Sequence, residues 1–385
     1  MRIPFHKPNI PNDLDSIVTD SIRDGWLTTG SQVNIFEKRL EKYLGVKHVI
    51  ALNSCTAALH LALKAKGFGN GHKFIVPSLT FVSTIECGEY IGMDPIIVDT
   101  EKKGFLIDLN HVEDIVKKDN SVKAILPVHY GGEAVDLKFL WDLADKYGLF
   151  ILEDAAHALE TTSDNNIKVG ATDYAAAFSF YANKNITTGG EGGALATNNT
   201  NLAKKVKKIS LHGITKDGWN RFKTNGKWEY DITELGYKYN LTDIAASFGL
   251  WQMNFIEQWQ ERRMEIVEKY RKGLKEIDGI TLPKILKGHA KHLYVIQLIT
   301  EKWTIDRNQF IEEMVKRGIG LAVHYKPINQ LSYYVNRYNI NKNNYPNANS
   351  LFDSIVTLPL YPILQDSDVD YICKNISDIY KKHTK

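Results

Sequence analysis

Cysteine is scarce in this chain. Cys55, Cys87 and Cys373 are the only three among 385 residues, and no C-x-x-C pair occurs. That set excludes a disulfide framework and a zinc-finger module, and it predicts a reducing compartment. Long hydrophobic runs are missing too: no stretch reaches the roughly 18 apolar residues of a membrane span. Residues 1–8 lack the apolar segment of a secretory leader. An excess of one charge is also absent, since 48 Lys and Arg against 45 Asp and Glu leave a net charge of +3. A broad basic face for nucleic acid or for an anionic membrane surface is therefore not expected. The chain reads as cytoplasmic, with neither nucleic acid nor membrane as partner.

The composition that remains is that of a globular protein. Apolar residues make up 43% and charged residues 24%, which excludes general disorder, and the length suits two domains. Between residues 48 and 197, short apolar runs alternate with amphipathic stretches. Residues 48–52, 74–76, 95–98, 124–128, 150–152 and 178–180 read as strands, and 56–66, 80–91, 108–118 and 136–147 as helices. Continuous apolar strands separated by helices predict a largely parallel sheet covered on both faces. The pattern then changes. One long helix is predicted over 241–274, strands over 293–298 and 319–323, helices over 306–317 and 367–381, and an irregular segment over 332–347. These readings predict a large α/β domain over 1–250 and a smaller α+β domain over 251–385.

Ligands of open α/β sheets collect at the carboxyl ends of the strands. Lys184 stands there, after the apolar run 178–180 and before Gly189-Gly190-Glu191-Gly192-Gly193. A partly dry pocket favours the neutral amine that forms a Schiff base, although a single lysine is also compatible with a solvated loop. Asp154 ends a strand and could hold a pyridinium nitrogen protonated, or simply cap the next helix. Asp154 with His157 lacks the further ligands of a metal site, so no metal is expected. Ser54, Thr56 and Ala57 open a helix straight after a strand, the arrangement of a phosphate site or of an ordinary N-cap. Phe81 could lie against a cofactor ring or in the core. The Gly67-Phe68-Gly69-Asn70-Gly71 segment follows a helix rather than a strand, so it reads as a helix-ending turn and not a dinucleotide fingerprint. The lysine-rich run 204–208 reads as a solvated helix face.

Taken in order, several segments resemble the nucleotide-sugar aminotransferases of the DegT/StrS group. They are Asp24-Gly25-Trp26-Leu27-Thr28-Thr29-Gly30, Asn53-Ser54-Cys55-Thr56-Ala57-Ala58, Pro77-Ser78-Leu79-Thr80-Phe81, Pro127-Val128-His129-Tyr130-Gly131-Gly132 and Glu153-Asp154-Ala155-Ala156-His157. The Lys184 segment, Gly236-Tyr237-Lys238-Tyr239-Asn240-Leu241-Thr242-Asp243, Val323-His324-Tyr325-Lys326-Pro327 and Leu358-Pro359-Leu360-Tyr361-Pro362 complete the series. The segments around 129 and 236–243 look closest to the C4 aminotransferases of UDP-sugars.

The resemblance implies a fold-type I, aspartate aminotransferase-like architecture that binds pyridoxal 5′-phosphate (PLP). In it Lys184 is the Schiff-base lysine, Asp154 pairs with the pyridine nitrogen, His157 lies near the ring oxygen and Phe81 stacks on the ring. Thr56, Ala57 and Ser179 hold the phosphate with Ser54 beside them, and Asn240 reaches the phosphate site of a second subunit, which implies a homodimer with shared active sites. Thr28, Thr29, His324 and Tyr325 lie near the sugar nucleotide. Glutamate is the implied donor, leaving as 2-oxoglutarate, and a 4-keto nucleotide sugar the acceptor.

Two features depart from the family pattern: a second glycine at 189–190 where one is usual, and Cys55 where a smaller residue is common. Dehydratases of the same fold carry His at the Schiff-base position, where this chain has Lys184. A non-catalytic member of the fold would lack a cofactor residue, and an NAD oxidoreductase would need a placed G-x-G-x-x-G.

Overall fold

The computed structural model describes residues 2–10, 14–163, 166–215 and 230–385. Ten strands are described: β1 His48–Leu52, β2 Lys73–Pro77, β3 Asp94–Val98, β4 Val122–Ile125, β5 Phe150–Asp154, β6 Ala175–Ser179, β7 Gly193–Thr197, β8 Ile280–Thr281, β9 Tyr294–Leu298 and β10 Ile355–Leu358. The helices up to the one that follows β7 are α1 Leu14–Arg23, α2 Ser31–Leu44, α3 Cys55–Lys66, α4 Ser83–Glu89, α5 Leu109–Val116, α6 Leu137–Tyr147 and α7 Thr200–Ile209. They are followed by α8 Asp243–Gln252, α9 Ile256–Leu274, α10 Arg307–Lys316, α11 Ser332–Tyr338, α12 Pro346–Ser354 and α13 Asp366–His383.

The first seven strands form one sheet in the order β1-β7-β6-β5-β4-β2-β3. Strands β6, β5, β4, β2 and β3 run parallel, as their unbroken apolar runs predict. Strand β7 is antiparallel to both neighbours, so β1 points the same way as the parallel set. The carboxyl ends of β1, β2, β5 and β6 therefore share one edge. Small residues in β6, Ala175 and Ala177, let α3 pack close, and Ala58, Leu59 and Ala62 of that helix are fully buried against the sheet. Gly193 at the start of β7 is required by the same closeness, since a Cβ there would lie 2.3 Å from the backbone carbon of Ser54.

Strands β10, β9 and β8 make a second, antiparallel sheet. Its core gathers Ile266, Tyr270 and Leu274 of α9 with Ile372, Ile376 and Ile379 of α13. Ile3 is buried in this second core, with its backbone bridged to Ile319.

Three sequence expectations need correction. The single helix over 241–274 is two helices. Asn254 and Phe255 leave the α-ladder through N–H bonds to residues three back, Trp251 and Gln252. The two halves also face different surroundings, because α8 is buried on most sides whereas α9 buries one stripe. The irregular segment over 332–347 contains α11 and the start of α12. Asn339 in the left-handed region ends α11, and Pro346 opens α12 at a position where its missing N–H costs nothing. The stretch 319–323 joins no sheet and makes only isolated bridges, Ile319 to Ile3 and Ala322 to Thr357. The turn after α3 is as expected, with Gly67 left-handed at φ 79°. The run 204–208 lies on α7, where Lys207 reaches Glu37 and Lys208 reaches Glu234.

Candidate active site

A cavity of about 400 Å³ opens at the shared strand edge. It is lined by Ser54, Thr56, Phe81, Asp154, His157, Ser179, Lys184, His324 and Tyr325, all singled out from the sequence. Two larger hollows lie elsewhere. In the larger of them, Asp108 and Asp136 spend their carboxylates capping α5 and α6. The strand-end cavity is the one that brings the buried side chains of Asp154, His157 and His324 together with Lys184. Among the described residues, no three His, Cys, Asp or Glu side chains cluster as a metal site.

Lys184 sits on the hairpin between β6 and β7. Phe180 donates its N–H to Gly192 O, Thr188 donates to Phe180 O, and Lys184 itself donates to Tyr181 O at 2.9 Å. The two adjacent glycines belong to this turn, with Gly189 at φ 90° and Gly190 at φ 146°, both in the region that disfavours side chains. The extra glycine is thus absorbed in the hairpin without moving Lys184 out of the cavity. Burial pulls the Lys184 ammonium down to about 8, against the upward pull of nearby Cys55 and Asp154.

Asp154 terminates β5 at the floor of the cavity. Its Oδ2 accepts a 2.7 Å bond from Thr84 Oγ1, and its Oδ1 accepts from the Ala156 N–H. Thr84 is in turn bonded to Thr80 Oγ1, in the bend just before α4. Burial raises the carboxyl of Asp154, while those two bonds and the neighbouring Lys184 oppose the rise.

His157 is fixed from both sides. Nδ1 accepts from the Gly131 N–H at 3.2 Å, so Nε2 carries the proton and lies 3.0 Å from the Tyr325 hydroxyl. Burial pushes His157 well below its ordinary range, and it is neutral. Tyr325 lies nearly parallel to His157 at 6.0 Å and faces Phe81 at 5.7 Å. His324 is held by Thr357 Oγ1 at Nδ1, and its carbonyl accepts from the Tyr130 hydroxyl. Burial lowers the His324 ring to about 4.

Ser54 caps α3 by accepting the Ala57 N–H at 3.0 Å. Ala57 is therefore turned into the helix and does not line the cavity. Cys55 does line it, at the first helical position. Asn240, Thr28 and Thr29 are outside the cavity wall of this chain. Asn240 Nδ2 donates to Thr29 Oγ1, which donates to Leu241 O, and the Asp243 N–H donates to Thr28 O. Sequence reading missed Thr80, Ser83, Tyr181, Asn183 and Glu191 in the wall and Thr84 behind it. The helix predicted over 80–91 puts positions 80 and 84 on one face, the available signal for Thr84, although α4 itself begins only at Ser83.

The residues present fit PLP. Phe81 turns a half-exposed ring to the cavity, Lys184 Nζ makes no hydrogen bond or ion pair among the described residues, and Asn183 Oδ1 is buried there without a partner.

Comparison with known proteins agrees with this geometry. The DegT/DnrJ/EryC1/StrS aminotransferase family profile matches residues 8–377. The chain is 39% identical over 382 residues to the spore coat polysaccharide biosynthesis protein SpsC of Bacillus subtilis, covering 98% of this chain and 97% of that one. Among solved structures, the putative sugar aminotransferase Spr1654 of Streptococcus pneumoniae in its PMP form superposes with a TM-score of 0.91 at 33% identity over 99% of each chain. PseC of Helicobacter pylori, an aminotransferase of pseudoaminic acid biosynthesis, gives a TM-score of 0.90 at 27% identity, covering 99% of this chain and 100% of that one.

Proposed function

Because the chain belongs to the DegT/DnrJ/EryC1/StrS aminotransferase family, and is a PLP-dependent sugar aminotransferase of α/β fold, we propose that it moves an amino group from glutamate to C4 of a 4-keto nucleotide sugar, UDP-linked. The product is a 4-amino sugar nucleotide for surface polysaccharide or glycan synthesis. The observation that carries this reading is one buried lysine of depressed basicity facing a buried carboxylate and a neutral histidine in one cavity.

PLP, when bound, supplies the electron sink for the pair of electrons left as a Cα–H bond breaks. Lys184 would hold it through Nζ, and Ser54, Thr56 and Ser179 would hold its phosphate at the positive dipole end of α3; the Ala57 N–H would reach the phosphate only by giving up its bond to Ser54 Oγ. Asp154 would keep the pyridine nitrogen protonated, His157 would hydrogen-bond near the ring oxygen, and Phe81 would cover the ring face. Lys184 Nζ, as a free amine beside the bound donor, would be the group that takes up the proton lost from the donor Cα and holds it for redelivery. An amine near pH 8 is close enough to neutrality to act as base and then as acid. Glutamate would leave as 2-oxoglutarate with its keto oxygen taken from water, and the 4-keto sugar would gain the nitrogen while its keto oxygen leaves as water, Lys184 Nζ moving the proton in the opposite direction. His324, Tyr325, Thr28 and Thr29 would meet the sugar nucleotide.

The working unit in this reading is a cytoplasmic homodimer with shared active sites. Asn240 would exchange its Thr29 bond for the phosphate site of the second subunit. Residues 1–250 would carry the cofactor, with 251–385 closing over it. No helix among the described residues is long and apolar enough to cross a membrane.

Borohydride reduction of the yellow protein, followed by peptide mapping, should place the label on Lys184. Lys184→Ala should abolish both half-reactions with the fold intact, and substantial remaining transamination would overturn the assignment. Mass spectrometry of products from 4-keto and 3-keto UDP-, dTDP- and GDP-sugars then tests the acceptor. Amination of a 3-keto sugar in preference to any 4-keto sugar would replace the C4 reading.

A further inference from the structure

Behind Lys184 lies a buried polar group that the reaction above does not use. Asn185, the next residue, is 8% exposed and spends all its side-chain polarity inside the protein. Its Nδ2 donates to Glu160 Oε2 at 2.9 Å and to Ala290 O at 3.0 Å. Both partners are acceptors, so the amide has one orientation, and Oδ1 must face His292 Nδ1 at 3.0 Å. His292 Nδ1 therefore carries the imidazole proton and donates it. The His292 ring then lies against His157, with centroids 4.5 Å apart and planes at 36°.

The group closes on itself through the backbone. The His292 N–H donates to Gly131 O at 3.1 Å, and the Gly131 N–H donates to His157 Nδ1. Ala290, which accepts from Asn185, donates its own N–H to Gly132 O. The Lys184 hairpin, the approach to β9, the turn after β4 and His157 are thus joined in one satisfied ring of bonds, and moving any member strands a buried donor or acceptor.

We propose that Asn185 and His292 are a coupled pair of positioning residues that fix the plane of His157 and the height of Lys184 against the cofactor ring. They touch neither cofactor nor substrate, so they control how the ring is held and not whether the nucleotide sugar binds. The inference rests on the PLP reading, which the borohydride label on Lys184 tests separately in the unmodified enzyme.

The experiment uses full-length holoenzyme carrying Asn185→Ala, His292→Phe, or both. His292→Phe keeps an aromatic ring against His157 while removing the donated bond. Each variant should shift the visible absorption and circular dichroism of bound PLP. Each should also lower kcat by about tenfold to 100-fold, the scale of a misplaced reacting group, with KM for the nucleotide sugar changed less than about threefold. The double variant should lose no more than the worse single variant, because the two residues act as one unit. A His292→Phe enzyme with parental spectrum and kcat would overturn the proposal. So would losses that multiply in the double variant, or a rise in KM with kcat preserved. If Asn185→Ala does not fold, Asn185→Asp, which keeps the acceptor facing His292 but opposes Glu160, provides the second arm. A parental cofactor spectrum in folded Asn185→Asp would likewise overturn it.

Discussion

At the floor of the cavity, Asp154 accepts from Thr84 and Ala156, and His157 is held between Gly131 and Tyr325. At the rim, Phe81 is 55% exposed, Tyr181 is exposed as well, and among the described residues neither ring is locked by a side-chain hydrogen bond. The floor groups are charged or titratable, nearly inaccessible and each tied to the parallel-sheet scaffold. The rim groups Phe81 and Tyr181 are aromatic and lie on connecting segments, and the bonded His324 and Tyr325 stand between rim and floor. Under the proposed function the contrast would separate two tasks in one cavity: fixed electrostatics for bond-breaking below, adaptable surface for recognition above.

The largest test of that contrast is Asp154→Asn. It preserves shape but removes the charge that would keep the ring protonated, and kcat/KM should fall about 100- to 1000-fold while PLP still attaches to Lys184. Steady-state kinetics beside the absorption spectrum decide it, and a parental rate would dissolve the distinction between floor and rim. A smaller effect is expected at the rim. Phe81→Ala should weaken PLP retention by a few-fold to about tenfold, the worth of one aromatic face, read by equilibrium dialysis against a graded PLP series. Loss of all PLP binding would make Phe81 part of the floor.

The smallest effect is on stability. Burial holds the folded Lys184 ammonium at about 8, against 10.5 in the open chain. Between those values the unfolded state binds more protons, so rising pH favours the folded state. Lys184→Met apoprotein should therefore melt above the parental apoprotein at pH 7, with the advantage shrinking as pH rises from about 8 toward 10.5. A pH-independent difference in melting temperature would show that the lysine is not desolvated.

The floor was more legible in the sequence than the rim, for a physical reason. Lys184, Asp154, Ser54 and Ser179 stand just after strands whose apolar runs mark their own ends, and a parallel sheet sends those ends to one edge. Thr84 was readable from its spacing to Thr80. His292 was not, because nothing local signals that a histidine before β9 will lie against His157, 135 residues away in the chain. The same limit explains the split helix. Periodicity continues through 241–274, but whether a helix continues depends on what surrounds each half. Ala57, Thr28, Thr29 and Asn240 show a further limit: their side chains or amides are engaged within the chain, so their family-implied contacts depend on groups this single chain does not contain.

The antiparallel insertion of β7 between β6 and β1 has a consequence for how such an enzyme can change. Lys184 is carried on a hairpin joining two adjacent strands, and bonds among residues 180–192 close it. The backbone course of the hairpin is set within a dozen residues, while Asn185 ties it to Glu160, Ala290 and His292. His324 and Tyr325 arrive from the far end of the chain. Tyr325 nevertheless bonds His157, so a change of recognition surface at that segment has to keep this bond or replace it, and the exposed Phe81 and Tyr181 are the freer places for the cavity to be reshaped.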